Sequence, residues 1–243
     1  MYLTWAIAGA AAGLPIGASL RNVVFRLAVP SGVPERRDCP ACVSPVTSRL
    51  TAGCRHCGTM FGPPAVIEIA TALVLFLVLG RFGGRPGVLA FGFLGVLGVA
   101  LAAIDIKVKR LPDLLTLPAY PVMIALLGAA ALTDGTGTDL VRALLGGLTL
   151  AACYLLLALA RPGQMGGGDI KLAGLAGLAL GWLGWPALVT GAALGFLLCG
   201  AVSAAMLATR MITLRASISF GPFLLAGTLI AVVMVRSAVP SVA

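Results

Sequence analysis

Apolar residues run along most of the chain in blocks of about 18 to 25, broken by short clusters of glycine, proline and basic residues. A helix needs roughly 20 consecutive apolar residues to cross a hydrocarbon core about 30 Å thick. Eight stretches meet or approach that length: residues 3 to 20, 64 to 80, 87 to 104, 114 to 132, 140 to 160, 170 to 183, 186 to 208 and 218 to 235. The sixth and seventh come from one apolar run of 39 residues, which at 1.5 Å per residue is about 58 Å of helix, enough for two crossings. Gly184-Trp185-Pro186 is the natural turn between them. The pattern predicts an all-α polytopic membrane protein of about eight transmembrane helices. One domain over residues 1–243 is expected, with a polar loop, residues 30–63, inserted between the first and second helices.

Composition agrees with lipid as the solvent. Hydrophobic residues make up 60% of the chain and charged residues 10%, with a mean hydropathy of +1.07. The first segment, opening Met1-Tyr2-Leu3-Thr4-Trp5, lacks a basic leader and is expected to be a retained helix rather than a cleaved signal. Orientation follows from lysine and arginine in the connections. Placing loop 30–63 in the cytoplasm puts Arg21, Arg26, Arg36, Arg37, Arg49, Arg55, Lys107, Lys109, Arg110, Arg161, Lys171, Arg210 and Arg215 inside, against Arg81, Arg85, Arg142 and Arg236 outside. The net charge of +9 is then explained by topology and by contact with anionic lipid headgroups, with no need of nucleic acid.

The loop carries Cys39-Pro40-Ala41-Cys42 and Cys54-Arg55-His56-Cys57. Two CxxC pairs this close have the spacing of a four-thiolate zinc site, each pair forming one knuckle of a tetrahedron. A reducing cytoplasm disfavours the disulfide alternative. No ligand position looks open, so the zinc is expected to be structural. His56, the only histidine, has two readings, a substitute zinc ligand or, the one preferred, a neighbour of the site. Cys153 and Cys199 lie in apolar helices and read as packed thiols.

Only eight acidic residues occur, and two sit where a membrane chain normally excludes charge. Asp105 ends an apolar run, and Asp169 follows the glycines of Met165-Gly166-Gly167-Gly168-Asp169-Ile170-Lys171. Ionisable groups at such places are functional candidates. A C-terminal helix end favours cations, so a carboxylate at Asp105 calls for a reason beyond local structure. Asp113, after Pro112, has both a capping and an active-site reading. With no HExxH helix and the only histidine in the cysteine loop, metalloprotease and serine–histidine designs are excluded. Acid chemistry by two carboxylates remains. Close together they share a proton, so one takes a proton from water while the other polarises a carbonyl. The alternative is a proton- or ion-coupled transporter using Asp105 and Asp169 as a relay. A relay favours acids at the bilayer midplane, whereas both acids here fall near a membrane boundary.

These motifs together resemble the type IV prepilin peptidases, the GxGD class of intramembrane aspartyl proteases. Gly17-Ala18-Ser19-Leu20-Arg21-Asn22-Val23-Val24 is similar to that family's first-helix pattern, with Arg21 inserted where an apolar residue is common. The two CxxC pairs, Glu68 in Pro64-Ala65-Val66-Ile67-Glu68, the segment from Asp105 to Leu111-Pro112-Asp113, Gly166 to Leu172, and Ile218-Ser219-Phe220-Gly221-Pro222-Phe223 follow in family order. The resemblance implies an aspartic endopeptidase of the bacterial inner membrane with Asp105 and Asp169 as the catalytic pair. Gly166, Gly168, Lys171, Asp113 and Glu68 are expected as active-site support. Its substrate would be a prepilin or pseudopilin, cut between a short basic leader and an apolar helix at the cytoplasmic face. Many members also methylate the new N-terminus with S-adenosylmethionine. Here the stretch between the cysteine pairs is shorter than the family's, and the tyrosine expected before the proline near Glu68 is replaced.

Overall fold

A computed structural model describes residues 2–30, 32–46, 53–62, 65–160, 165–211, 213 and 218–234. Arg49, Arg161, Arg215 and Arg236 of the orientation count, and Pro64, lie outside the described residues. Eight helices follow in order: α1 (Leu3–Leu27), α2 (Val66–Phe82), α3 (Val88–Val108), α4 (Asp113–Asp134), α5 (Gly137–Ala160), α6 (Gly167–Leu183), α7 (Trp185–Ala208) and α8 (Gly221–Met234). Each matches one predicted stretch. Five of them, α1, α3, α4, α5 and α7, are long and apolar enough to cross a membrane. Among the described residues, α2 and α6 have 17 residues and α8 has 14. The chain is a multi-pass helical membrane protein.

Two compact units are present, Met1–Pro112 and Asp113–Ala243. In the first, α1 packs chiefly on α2 along a seam of Gly9, Gly13 and Gly17, spaced by four residues so that all three lie on one helix face. A Cβ at Gly9 would stand 2.6 Å from the carbonyl oxygen of Leu75, so these helices meet backbone to backbone. The next residue in the series is Arg21. The sequence pattern ends this helix near residue 20, yet the helix runs on through Arg21 and Asn22 to Leu27. Its continuation is possible because Arg21 turns toward α2, where it has a partner.

In the second unit α6 is the hub, touching α4, α5, α7 and α8. Every residue from Leu172 to Leu183 is buried. Glycine again sets the spacing: a Cβ on Gly177 would lie 2.5 Å from the Gly146 carbonyl oxygen of α5, and one on Gly181 would lie 2.8 Å from that of Arg142. The C-terminal end of α6 is capped from outside. Arg142 of α5, held by Asp139 at 2.9 Å, donates from Nε to the Gly181 carbonyl at 2.8 Å and from Nη2 to the Trp182 carbonyl at 2.6 Å. Those two carbonyls belong to the last turn, where the helix itself supplies few donors; the Gly181 carbonyl also accepts the N–H of the C-cap residue Gly184 at 3.2 Å. Gly184, at φ +131°, then makes the turn into α7, at the position the Gly-Trp-Pro sequence marks.

Candidate active site and metal centre

The four cysteines converge. Their Sγ atoms all lie within 4.8 Å of one another, with Cys39 to Cys57 and Cys42 to Cys54 both at 3.6 Å. A tetrahedral zinc with bonds of about 2.3 Å spaces its sulfurs by about 3.8 Å, so the cluster fits such an ion. The two halves are built alike. Cys39 N–H donates to Ser44 O at 2.9 Å and Val43 N–H to Cys39 O at 3.0 Å, while Cys54 N–H donates to Thr59 O at 2.8 Å and Gly58 N–H to Cys54 O at 3.0 Å. Each knuckle is closed by an isolated antiparallel bridge, Asp38 with Pro45 and Gly53 with Met60. The residue after each second cysteine is left-handed, Val43 at φ +57° and Gly58 at φ +73°.

The thiols differ in acidity. The hydroxyl and backbone N–H of Thr59 pull Cys57 down to about 6, with the Thr59 hydroxyl 3.1 Å from the sulfur. Ser44 lowers Cys42 in the same manner. At Cys39 the Ala41 backbone N–H acts in that direction too, but burial and the sulfurs of Cys57 and Cys42 outweigh it and push the thiol up to about 11. Phe61, buried with Cys39 and Cys54, stacks on Phe25 near the end of α1 at 4.3 Å, and the Arg36 guanidinium lies 5.4 Å from the Phe25 ring. The knuckles are therefore fastened to α1 by aromatic packing. His56 is exposed and outside the sulfur cluster.

Asp105 lies in the last turn of α3 and is buried. Its carbonyl accepts the Lys109 N–H at 2.8 Å, and Lys109, at φ +51°, ends the helix. Asp169 lies in the first turn of α6, three residues beyond the N-cap Gly166, and is half-buried. Its Oδ2 accepts the Gly166 N–H at 3.3 Å, while its own N–H donates to the Gly166 carbonyl at 3.0 Å. Gly166 is extended, with φ −76° and ψ 144°, and Gly168 forms part of the first turn. The two carboxylates thus sit at opposite kinds of helix end: the N-terminus of α6 favours negative charge and the C-terminus of α3 opposes it.

Of the supporting residues, Lys171 and Asp113 meet, with Nζ 2.6 Å from Oδ1. Tyr120 of α4 donates its hydroxyl to the Lys171 carbonyl at 2.7 Å, and a Cβ on Gly174 would collide with that hydroxyl. Two contacts thus tie α4 to the first turns of α6. Glu68, in the first turn of α2, forms an ion pair with Arg21, Nε to Oε1 at 2.5 Å. Reading the sequence missed that pair, taking Arg21 as a topology charge and as a departure from the resembled first-helix pattern. The four-residue series Gly9, Gly13, Gly17, Arg21 was the available signal, since it aims Arg21 at α2.

Fold and site together describe a multi-pass membrane protein with one aspartate in the last turn of a helix, one in a glycine-led first turn, and a four-cysteine cluster on a polar loop. Residues 92–209 match the type IV leader peptidase family. The prepilin leader peptidase/N-methyltransferase of Burkholderia pseudomallei (strain 1026b) is 33% identical over 89% of this chain and 71% of its own length. That of Dickeya chrysanthemi is 30% identical over 90% of this chain and 89% of its own, and that of Aeromonas hydrophila 32% over 78% and 68%. No solved structure matches. The chain belongs to the type IV leader peptidase family, and the ion-relay reading has no support among these relatives.

Proposed function

We propose that this protein is a membrane aspartyl endopeptidase that removes the leader of a prepilin or pseudopilin at the cytoplasmic face of the bacterial inner membrane. The observation that carries the proposal is membership of the leader peptidase family. Asp105 and Asp169 are the catalytic pair. The helix ends suggest the division of labour. Asp169, at the helix N-terminus, takes a proton from water as the oxygen attacks the scissile carbonyl carbon; Asp105, buried at a C-terminus, gives its proton to the carbonyl oxygen. On collapse Asp169 returns the proton to the departing amine and Asp105 recovers its own.

Gly166 and Gly168 carry Asp169 on a narrow turn, Lys171 and Asp113 brace the start of α6, and Glu68 acts with Arg21 on α2. Zinc at Cys39, Cys42, Cys54 and Cys57 supplies rigidity to the polar loop. Methylation of the new N-terminus is proposed as a separable step. No residue is assigned to S-adenosylmethionine.

The test is incubation of the purified protein with a prepilin, read by mass spectrometry. Loss of the leader is expected for the parent chain and no cleavage for folded Asp105→Asn or Asp169→Asn. Turnover by either variant would overturn the pair. A further gain of one methyl mass only when S-adenosylmethionine is added would establish the second activity; complete cleavage without that gain would refute it.

A further inference from the structure

Tyr154 is among the most deeply buried side chains of the chain, at 1% exposure. Its ring lies among aromatic neighbours, 5.5 Å from Phe196 of α7 and 5.7 Å from Phe220, which precedes α8. These two rings are 5.0 Å apart. Packing therefore accounts for the ring. It does not account for the hydroxyl, which is buried and has no hydrogen-bond partner among the described residues. A buried phenol hydroxyl left unmatched is costly, and native structures rarely retain one without a purpose.

The register of α5 against α6 shows which residues of α6 stand level with Tyr154. Gly181 meets Arg142 and Ala143, Gly177 meets Gly146 and Gly147, and Gly147 meets the Gly174 carbonyl. The helices are antiparallel, so extending this pairing toward the end of α5 sets Tyr154 level with Asp169 and Ile170. Asp169 lies within electrostatic reach of the Tyr154 hydroxyl. A neutral phenol is a hydrogen-bond donor, and an ionised carboxylate can accept up to about four hydrogen bonds.

We propose that Tyr154 is a positioning residue for the catalytic pair: its hydroxyl, without a partner among the described residues here, comes to donate to the Asp169 carboxylate when substrate binds and holds it in the orientation from which it takes the proton of water. The inference rests on the peptidase function proposed above. Phe196 and Phe220 fix the ring so that its hydroxyl has one direction. The Ile218-to-Phe223 motif thereby acquires a role, since its Phe220 ring holds in place the residue that orients Asp169.

Tyr154→Phe in the full chain keeps the ring and deletes the donor. Cleavage of a purified prepilin should show a kcat lowered by about 10- to 100-fold, with KM and melting temperature unchanged. Tyr154→Leu, which also removes the ring, should in addition lower the melting temperature. A peptide carrying a tetrahedral alcohol in place of the scissile bond should bind Tyr154→Phe more weakly than the parent, while an uncleaved leader peptide binds both equally. Parent-like kcat in Tyr154→Phe, alongside inactive Asp105→Asn and Asp169→Asn, would overturn this inference and leave the peptidase standing. A loss of rate in Tyr154→Phe matched by a loss of melting temperature would also overturn it, because packing would then suffice. Cleavage by Asp169→Asn, or none by the parent, would overturn the peptidase proposal and this inference with it.

Discussion

Arg21 of α1 and Glu68 of α2 form an ion pair inside the first unit, Nε to Oε1 at 2.5 Å, with the Arg21 side chain 2% exposed. Arg21 Nη1 and Glu68 Oε2 find no further hydrogen-bond partner among the described residues. Desolvation of two charges offsets much of their attraction when the remaining donors and acceptors are unmatched, so the pair specifies the register of α1 on α2 more than it stabilises the fold.

Removing one partner strands the other. Arg21→Ala and Glu68→Ala should each lower stability by about 3 to 5 kcal/mol, whereas the double replacement Arg21→Met with Glu68→Leu should be close to neutral. Denaturant unfolding of the four proteins in one detergent measures both, and additive losses in the double variant would contradict the pairing.

Lys171 and Asp113 form the opposite case, since both side chains are more than a third exposed. Solvent screening limits such a contact to about 0 to 1 kcal/mol. Lys171→Ala and Asp113→Ala should each change stability by no more than that, and the double variant by no more than either single one. A loss of kcat of several orders of magnitude in Asp113→Ala, at normal stability, would place this carboxylate in the chemistry instead.

The cysteine loop allows two linked measurements. All four ligands must be thiolates to bind zinc, and at pH 7 Cys57 is already largely ionised while Cys39, at about 11, keeps its proton. Zinc affinity should therefore rise with pH above 7 and fall more steeply below about pH 6, where Cys57 must also lose a proton. Competition with a chromogenic chelator between pH 5.5 and 8 follows the slope, with about one zinc bound per chain. Val43, β-branched, 75% exposed and left-handed, occupies the place that Gly58 takes in the second knuckle. Val43→Gly should relieve about 1 to 2 kcal/mol of strain and slow proteolysis of the loop.

Two glycines separate close helix approach from mere composition. Gly177 meets the Gly146 backbone, whereas nothing lies within 4 Å of a Cβ placed on Gly128 of α4. Gly177→Ala should force α5 and α6 apart and lower the melting temperature sharply. Gly128→Ala should raise stability by about 0.8 to 1 kcal/mol through helix propensity. Thermal unfolding of both variants tests the contrast.

Helix positions and the four-cysteine cluster are legible in the sequence because both rest on local information, apolar run length and cysteine spacing. The end of α1 is not, since Arg21 and Arg26 read as the edge of the bilayer when Glu68, 47 residues later, is out of view. The glycine-led aspartate is legible as a motif, but its neighbour Tyr154 is not: only the α5–α6 register places that ring beside α6's first turn. Lys171 and Asp113 follow the same logic. Each has an ordinary local reading, and only tertiary structure pairs them.

The burial of α6 has a consequence for how the protein is made. Protein surrounds it from Leu172 to Leu183, and its 17 residues span only about 25 Å, less than the hydrocarbon thickness. Such a segment gains little from lipid during synthesis and depends on partners for its place in the bilayer. α5 precedes it and offers a glycine seam, but α7 and α8 emerge only afterwards. A nascent chain stopped before Gly221 therefore carries Asp169 on a helix whose sheath is incomplete, and α6 is fully covered only once the last helix has emerged.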